Sequence, residues 1–200
     1  NLYGATKLVS DKLFIAANNL VGDRKLKFSV VRYGNVLSSR GSFVPLLKNL
    51  SKNKKTIIPI THKDMTRFWI TLKQSVDLVE KALVAMKGGE VFVPKIPSVK
   101  IIDLPKVMCP ENKIKIVGIR PGEKIHEVLC PLESSHQTIE FKEHFIIKPT
   151  IKIRNREIDY IKYPGEKGKK VDQNFEYSSG TNKKFLNLKQ IKDSLKNFND

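Results

Sequence analysis

The sequence predicts an α/β layered fold, on three observations. Strand-like and helix-like segments alternate through the first half of the chain. The segment "KFSVVRYGNV" (27–36) has the apolar character of a buried strand and ends in Gly34 and Asn35. "LKQSVDLVEKALVAM" (72–86) repeats its apolar residues at helical spacing, with Val76, Val79, Ala82, Leu83 and Met86 on one face, and Gly88 and Gly89 stop it.

The elements follow in order. Residues 4–20 place Ala5, Leu8, Val9, Leu13, Ala16, Ala17 and Leu20 on one helical face, with Lys7, Asp11 and Lys12 between them. After the strand at 27–36, "SFVPLLKNLSKN" reads as a short helix. "KTIIPIT" and "TRFWIT" read as extended pieces, and "EVFVPK" as a strand after the 72–86 helix. "VKIIDLPKVMC" begins as a helix that Pro105 interrupts or reshapes. "NKIKIVGI" is strand-like, "EKIHEVLC" suggests a short helix after Pro121 and Gly122, and "HFIIKPTIKI" is extended. Residues 154–184, rich in Lys, Gly and Asn, read as loop or tail. "LNLKQIKDSLKNF" closes the chain as an amphipathic helix with Asn187 as its cap.

Two hundred residues, 40% hydrophobic, suffice for one domain, or one and a small lobe, around a sizeable core. No apolar run approaches the ~20 residues a membrane-crossing helix needs. Cys109 and Cys130 lack metal-type spacing and read as free thiols of a reducing, cytoplasmic compartment. The four histidines are scattered, so no metal site is expected. The net charge of +17 raises a nucleic-acid-binding module as an alternative. The excess is almost all lysine (30, against 7 arginines) and is spread along the whole chain. Nucleic-acid readers instead gather arginine and aromatic residues on one element, so no nucleic-acid partner is expected.

The pattern Tyr3–Lys7, four residues apart on the first helix, puts a phenol and an ammonium on one face. An ammonium beside a phenol favours the phenolate, which can act as a base toward an alcohol. In so lysine-rich a chain the spacing alone arises for about one tyrosine in seven. Tyr163 and Lys167 repeat it in a Pro-Gly turn, where it fixes no helical geometry and reads as surface. Asn35 ends a strand at the mouth of a parallel sheet, where ligands bind, although a left-handed turn residue would look the same. Arg67 and Arg120 stand beside strand edges or turns, with Glu123 just after Arg120. The planar guanidinium suits a diphosphate better than lysine does, and a surface ion pair is the plainer alternative for each.

Together, "YGATK", "VVRYGNV", "SSRGSFVPLL", "PIT…MTRFWIT", "GGEVFVPK" and "GIRPGEKIHEV", in this order, resemble the extended short-chain dehydrogenase/reductases that act on nucleotide sugars. The likeness runs from residue 1 to about 150, and "FEYSSGTN" near 177 fits it as well. The branch with inverting 4,6-dehydratase activity is the most similar, and Tyr3, where membrane-bound relatives carry methionine, points to it.

The resemblance implies the C-terminal part of a Rossmann-type parallel sheet with a smaller substrate-binding lobe. Residues 1–100 would belong to the NAD(P)-binding domain, with interleaved substrate-binding segments at roughly 36–72. Residues 101–150 would form a nucleotide-sugar-binding lobe, and 151–200 a basic tail and C-terminal helix. The implied cofactor is NADP rather than NAD. The implied reaction is dehydration of UDP-N-acetylglucosamine with inversion at C5, with a 4-epimerase or reductase as the alternative. Tyr3 would deprotonate the 4-hydroxyl. Lys7 would assist it and hold the nicotinamide ribose, Asn35 would contact the UDP phosphates, Arg67 and Arg120 the diphosphate and ribose side, and Glu123 the ribose. Self-association into a homo-oligomer is implied. The glycine-rich fingerprint and the Asp-Lys pair used on C5 and C6 would lie upstream of Asn1.

Overall fold

The computed structural model describes residues 2–37, 39, 41–154 and 157–196. In chain order the elements are α1 (Leu2–Ala17), β1 (Val30–Val31), β2 (Asn35–Val36), α2 (Phe43–Leu50), β3 (Ile58–Ile60), β4 (Thr66–Ile70), α3 (Leu72–Ala85), β5 (Val91–Pro94), β6 (Ser98–Lys100), α4 (Asp103–Met108), β7 (Ile114–Ile116), β8 (Val128–Cys130), β9 (Thr138–Glu140), β10 (His144–Ile147), β11 (Lys162–Tyr163), β12 (Glu166–Lys167), β13 (Lys169–Lys170), β14 (Tyr177–Ser178) and α5 (Leu188–Lys196). The α/β class expected from the sequence is what forms. The chain divides into two compact units of three stretches each: Asn1–Tyr33, Lys73–Lys95 and Leu129–Tyr177 in the first, Gly34–Leu72, Ile96–Val128 and Ser178–Asp200 in the second.

The first unit is built on a five-stranded sheet in the order β1-β5-β10-β9-β13. The β1–β5 pair is parallel, and the remaining pairs are antiparallel. Phe92, Ile139, Phe141, Ile146, Tyr160 and Tyr163 pack into its core with Ala82 of α3. Gly88 and Gly89, at φ 109° and 86°, end the helical stretch as the sequence predicts. Their left-handed backbone leads directly to Glu90, which is fully buried. Its carboxylate accepts hydrogen bonds from the Ser29 hydroxyl, the Lys87 and Gly88 amides and the Tyr163 hydroxyl. A buried carboxylate with so many donors is a satisfied structural group.

The second unit contains the sheet β2-β4-β6 and the pair β3-β7. β2 runs parallel to β4 and β3 parallel to β7, while β4 and β6 are antiparallel. Leu47, Ile58, Ile60, Val99, Leu104 and Ile191, all at most 1% exposed, form its core. Each such side chain contributes about 1.5–3 kcal/mol by leaving water. α5 is capped as expected: the Asn187 side chain accepts from the Gln190 amide at 2.9 Å, and the Gln190 side chain accepts from the Asn187 amide at 2.9 Å.

Several expectations are corrected. The 27–36 strand is two short ones, β1 and β2, one in each unit, separated by Arg32–Gly34. Arg32 is drawn aside by Asp11 at 2.7 Å and the Leu129 carbonyl at 3.0 Å. "EKIHEVLC" forms no helix. The carbonyls of Lys124 and Ile125, which a helix would need, accept instead from Arg67, and Ile125 also accepts from the Thr66 amide. Pro105 lies in the first turn of α4, where its missing N–H costs nothing. The stretch 154–184 is no tail: it carries β11 to β14 and buries Tyr160, Tyr163, Tyr177, Ser178 and Ser179. Tyr163 is therefore core, not surface. The apolar face expected for the first helix is exposed at Leu8, Val9 and Leu13, and within α1 only Ile15 is buried. Among the described residues no helix is long and apolar enough to cross a membrane, and no group of His, Cys, Asp or Glu could hold a metal ion.

Candidate active site

The second unit contains a cavity of about 300 Å³. Asn35, Arg67, Arg120 and Glu123, singled out separately in the sequence, all line it. Each is brought there by a local device. Asn35 opens β2 and pairs in register with Trp69 of β4. Gly34 precedes it because a Cβ there would lie 2.5 Å from the Phe68 Cβ. Arg67 is the second residue of β4, and the two-residue alternation of a strand sets Trp69 on the same side. Arg120 and Glu123 bracket a turn at Pro121–Gly122, with Gly122 at φ 74°. The Glu123 amide donates to the Arg120 carbonyl at 3.0 Å, and the Glu123 carboxylate accepts from the Arg120 amide at 3.2 Å.

The two arginines differ in what they can offer. The Arg67 side chain is 16% exposed. It donates to the Thr66, Ile125 and Lys124 carbonyls at 2.7, 3.1 and 2.9 Å, with the Glu127 carboxylate 3.6 Å away. Burial lowers its pKa from the ordinary arginine value, while Glu127 and Glu123 act against that. Three of its five N–H donors are thus spent on the 124–125 backbone and on Thr66, and it ties this segment to β4. Arg120 is solvent-exposed.

Tyr3 and Lys7 lie on α1 in the first unit. Tyr3 is 71% exposed, and the Lys7 Nζ stands 5.4 Å from the centre of its ring. The helical register therefore places the two groups side by side, as expected. Tyr3 and Lys7 stand on an exposed stretch of α1 with the small Gly4 and Ala5 beside them. Tyr163 and Lys167 make no comparable pair, because the Tyr163 hydroxyl is turned inward to Glu90 at 3.3 Å. Of "SSRGSFVPLL", Ser38 and Arg40 lie outside the described residues; Gly41, Ser42, Phe43 and Val44 line the cavity.

Sequence reasoning missed Met65 and Trp69, which also line the cavity. For Trp69 the signal was available: it stands two residues after Arg67 in a recognised strand. It also missed Thr66 and Ser179, whose hydroxyls meet at 2.8 Å. No local pattern marks residues 113 positions apart. A second cavity of about 360 Å³, in the first unit, is lined by His136, Lys148, Lys152 and Tyr160 among others and contains none of the expected site residues.

Comparison with known proteins gives a consistent result. The profile of the Polysaccharide biosynthesis protein family matches residues 1–149. The chain is 48% identical over 196 residues to the UDP-N-acetylglucosamine 4,6-dehydratase (inverting) of Campylobacter jejuni subsp. jejuni serotype O:23/36 (strain 81-176), covering 98% of this chain and 59% of that protein. It is 36% identical over 201 residues to the UDP-glucose 4-epimerase of Rickettsia bellii (strain OSU 85-389), covering 98% of this chain and 57% of that protein. The X-ray structure of Pen from Bacillus thuringiensis superposes with a TM-score of 0.80 at 32% identity, covering 98% of this chain and 57% of that one. The chain thus spans less than two thirds of the length of these relatives.

Proposed function

The chain belongs to the Polysaccharide biosynthesis protein family, and from that premise we propose that it is part of a nucleotide-sugar 4,6-dehydratase acting on UDP-N-acetylglucosamine with inversion at C5. The observation that carries the reading is the convergence of Asn35, Arg67, Arg120 and Glu123 on one cavity. In this reading the cavity takes the UDP moiety. Arg120, with its open guanidinium, is the diphosphate ligand, and Arg67 contributes its remaining N–H donors. Asn35 offers an amide to a phosphate oxygen, and Glu123 accepts from a ribose hydroxyl.

Tyr3 removes the proton of the sugar 4-hydroxyl, and Lys7, one turn further along the same helix, would hold a ribose hydroxyl of the cofactor. A nicotinamide dinucleotide, NADP in this reading, would supply the hydride acceptor and donor when bound. The ketone formed at C4 would acidify the C5 proton; that proton and the C6 hydroxyl would leave as water, the hydride taken from C4 would return to C6, and protonation of C5 from the opposite face would invert that centre. The product is UDP-2-acetamido-2,6-dideoxy-β-L-arabino-hex-4-ulose. The protein acts as a soluble homo-oligomer in the cytoplasm.

The test is to incubate the full-length protein with UDP-N-acetylglucosamine and NADP and weigh the product. Loss of one water supports dehydration. An isomer of unchanged mass favours the second reading, a 4-epimerase, which the Rickettsia relative suggests. Tyr3→Phe is expected to lower kcat by at least about a hundredfold while leaving the Kd for UDP-sugar unchanged. The 200-residue chain by itself is expected to bind UDP-sugar without turnover; 4-keto product from that chain would contradict this.

A further inference from the structure

We propose that Thr66 and Ser179 form a positioning pair that sets the Arg120–Glu123 turn against the cavity. The proposal rests on the nucleotide-sugar reading of the same cavity. Both residues are buried, Thr66 at 4% exposure and Ser179 at 0%. Neither has been given a role in chemistry, yet both are fully hydrogen-bonded at the base of the segment that carries the turn.

Ser179 grips that segment twice. Its amide donates to the Glu127 carbonyl at 2.8 Å, and its hydroxyl accepts from the Glu127 amide at 2.9 Å. The hydroxyl also meets the Thr66 hydroxyl at 2.8 Å and reaches the Thr66 carbonyl at 3.3 Å. Thr66 grips the neighbouring residues. Its amide donates to the Ile125 carbonyl at 3.0 Å, and its hydroxyl pairs with His126 Nδ1 at 2.8 Å. The His126 ring is pressed onto Gly180, where a Cβ would stand 2.6 Å from the ring. Residues 125–127 are thereby clamped between β4 and Ser179–Gly180. Arg67, the next residue on β4, clamps 124 and 125 from the cavity side.

Before the turn, the Val117 amide donates to the Ile60 carbonyl at 2.9 Å. The turn's internal hydrogen bonds join only Arg120 and Glu123, and Arg120, Pro121 and Gly122 are exposed. Where the turn stands over the cavity is therefore set by Val117 on one side and by residues 124–127 on the other. The hydroxyl pair fixes the latter with directional bonds, the one between the two hydroxyls being buried, where one lost bond is worth about a tenfold change in an equilibrium constant.

The test uses the chain with Thr66→Val, Thr66→Ser and Ser179→Ala, and Ile191→Val as a core control whose own side chain does not line the cavity. Binding of UDP-N-acetylglucosamine is followed by the fluorescence of Trp69, the single tryptophan, which lines the cavity. Hydrogen–deuterium exchange is followed in peptides spanning 119–127. In T66V and S179A the Kd is expected to rise about tenfold and exchange of 119–127 to quicken about tenfold. T66S, which keeps the hydroxyl, and I191V, which only loosens the core, stay within about twofold. T66V and S179A remove the pair from opposite sides, so either one that folds decides. Unchanged exchange in 119–127, or unchanged Kd with a folded variant, overturns the proposal. Faster exchange in a chain that binds no UDP-sugar even as wild type supports the positioning pair and removes the nucleotide-sugar reading instead.

Discussion

Replacing Gly34 by alanine should separate β2 from β4 and disturb the wall that carries Asn35. An added Cβ would meet the Phe68 Cβ at 2.5 Å and the Phe68 carbonyl oxygen at 3.3 Å. Ordinary carbon contacts lie at about 3.5–4.0 Å, so β2 or β4 must give by about 1 Å. Phe68 has no room to do so. It is fully buried, paired with Ser98 on one side, and its neighbour Trp69 is paired with Asn35 on the other. The expected cost is that of overpacking, about 2 kcal/mol, or roughly thirtyfold in the folding equilibrium. For a chain of this size the melting midpoint would fall by about 4–8 °C. Urea and thermal unfolding followed by Trp69 fluorescence read both. Gly41→Ala is the comparison: it sits at φ 75° with nothing within 4 Å of an added Cβ, so it carries backbone strain without a clash. Phe68→Leu in the Gly34→Ala background should show no rescue, because leucine keeps the offending Cβ. A Gly34→Ala change within about 0.5 kcal/mol of neutral, or rescue by Phe68→Leu, would refute the reasoning.

Glu90→Ala should destabilise the chain by about 3–5 kcal/mol, since four donors lose a buried acceptor at once; urea unfolding measures it. Arg67→Lys keeps the charge but cannot reach the Thr66, Ile125 and Lys124 carbonyls together, and should cost about 1.5–3 kcal/mol by thermal unfolding together with weaker UDP-sugar binding. Burial lowers the His144 pKa below 6.5, with Glu166 and Glu143 opposing it and Lys95 and Lys81 adding to it. The unfolded chain then binds the proton more readily, so this contribution is present above pH ~6.5 and is lost as pH falls through the folded value. His144→Phe, which keeps a ring beside Phe141, should flatten the stability profile between about pH 7 and 5 in denaturant titrations at stepped pH; an unchanged slope would show that His144 is not its source.

What could be read from the sequence depended on the range of the interactions involved. α3, β4, β5 and α5 were legible because periodicity, Gly88–Gly89 and the Asn187 cap are local signals. The Tyr3–Lys7 adjacency was legible for the same reason. Arg67 and Arg120 were found by the scarcity of arginine in a lysine-rich chain and by resemblance, Glu123 by its place after the Pro-Gly turn and by resemblance, and one cavity receives all three. The failures have a common origin in distant partners. "EKIHEVLC" has helical spacing, but Arg67, more than fifty residues earlier, takes its carbonyls. Residues 154–184 look polar, yet Tyr160 and Tyr163 find Gly88 and Glu90 about seventy residues away. The exposed apolar face of α1 shows the converse: periodicity reveals that a face is apolar and leaves open what lies against it.

The division of the second unit into three separate stretches has a consequence for how the protein is made. Leu47, Ile58 and Ile60 are synthesised more than a hundred residues before Ile191, which packs in the same cluster. The Ser98 amide and carbonyl likewise wait for Lys184 and Leu186. At about 5–20 residues per second, the ribosome would hold these apolar side chains without their final partners for on the order of 10 s. During that interval the nascent chain presents the surface that chaperones recognise and that promotes aggregation. Because so many of its contacts span long stretches of chain, the unit should also fold slowly once released. The core cluster that the cavity-lining Ile60 and Leu104 share with Ile191 is thus completed late, and yield during expression should depend on translation rate and chaperone supply more than its core composition suggests.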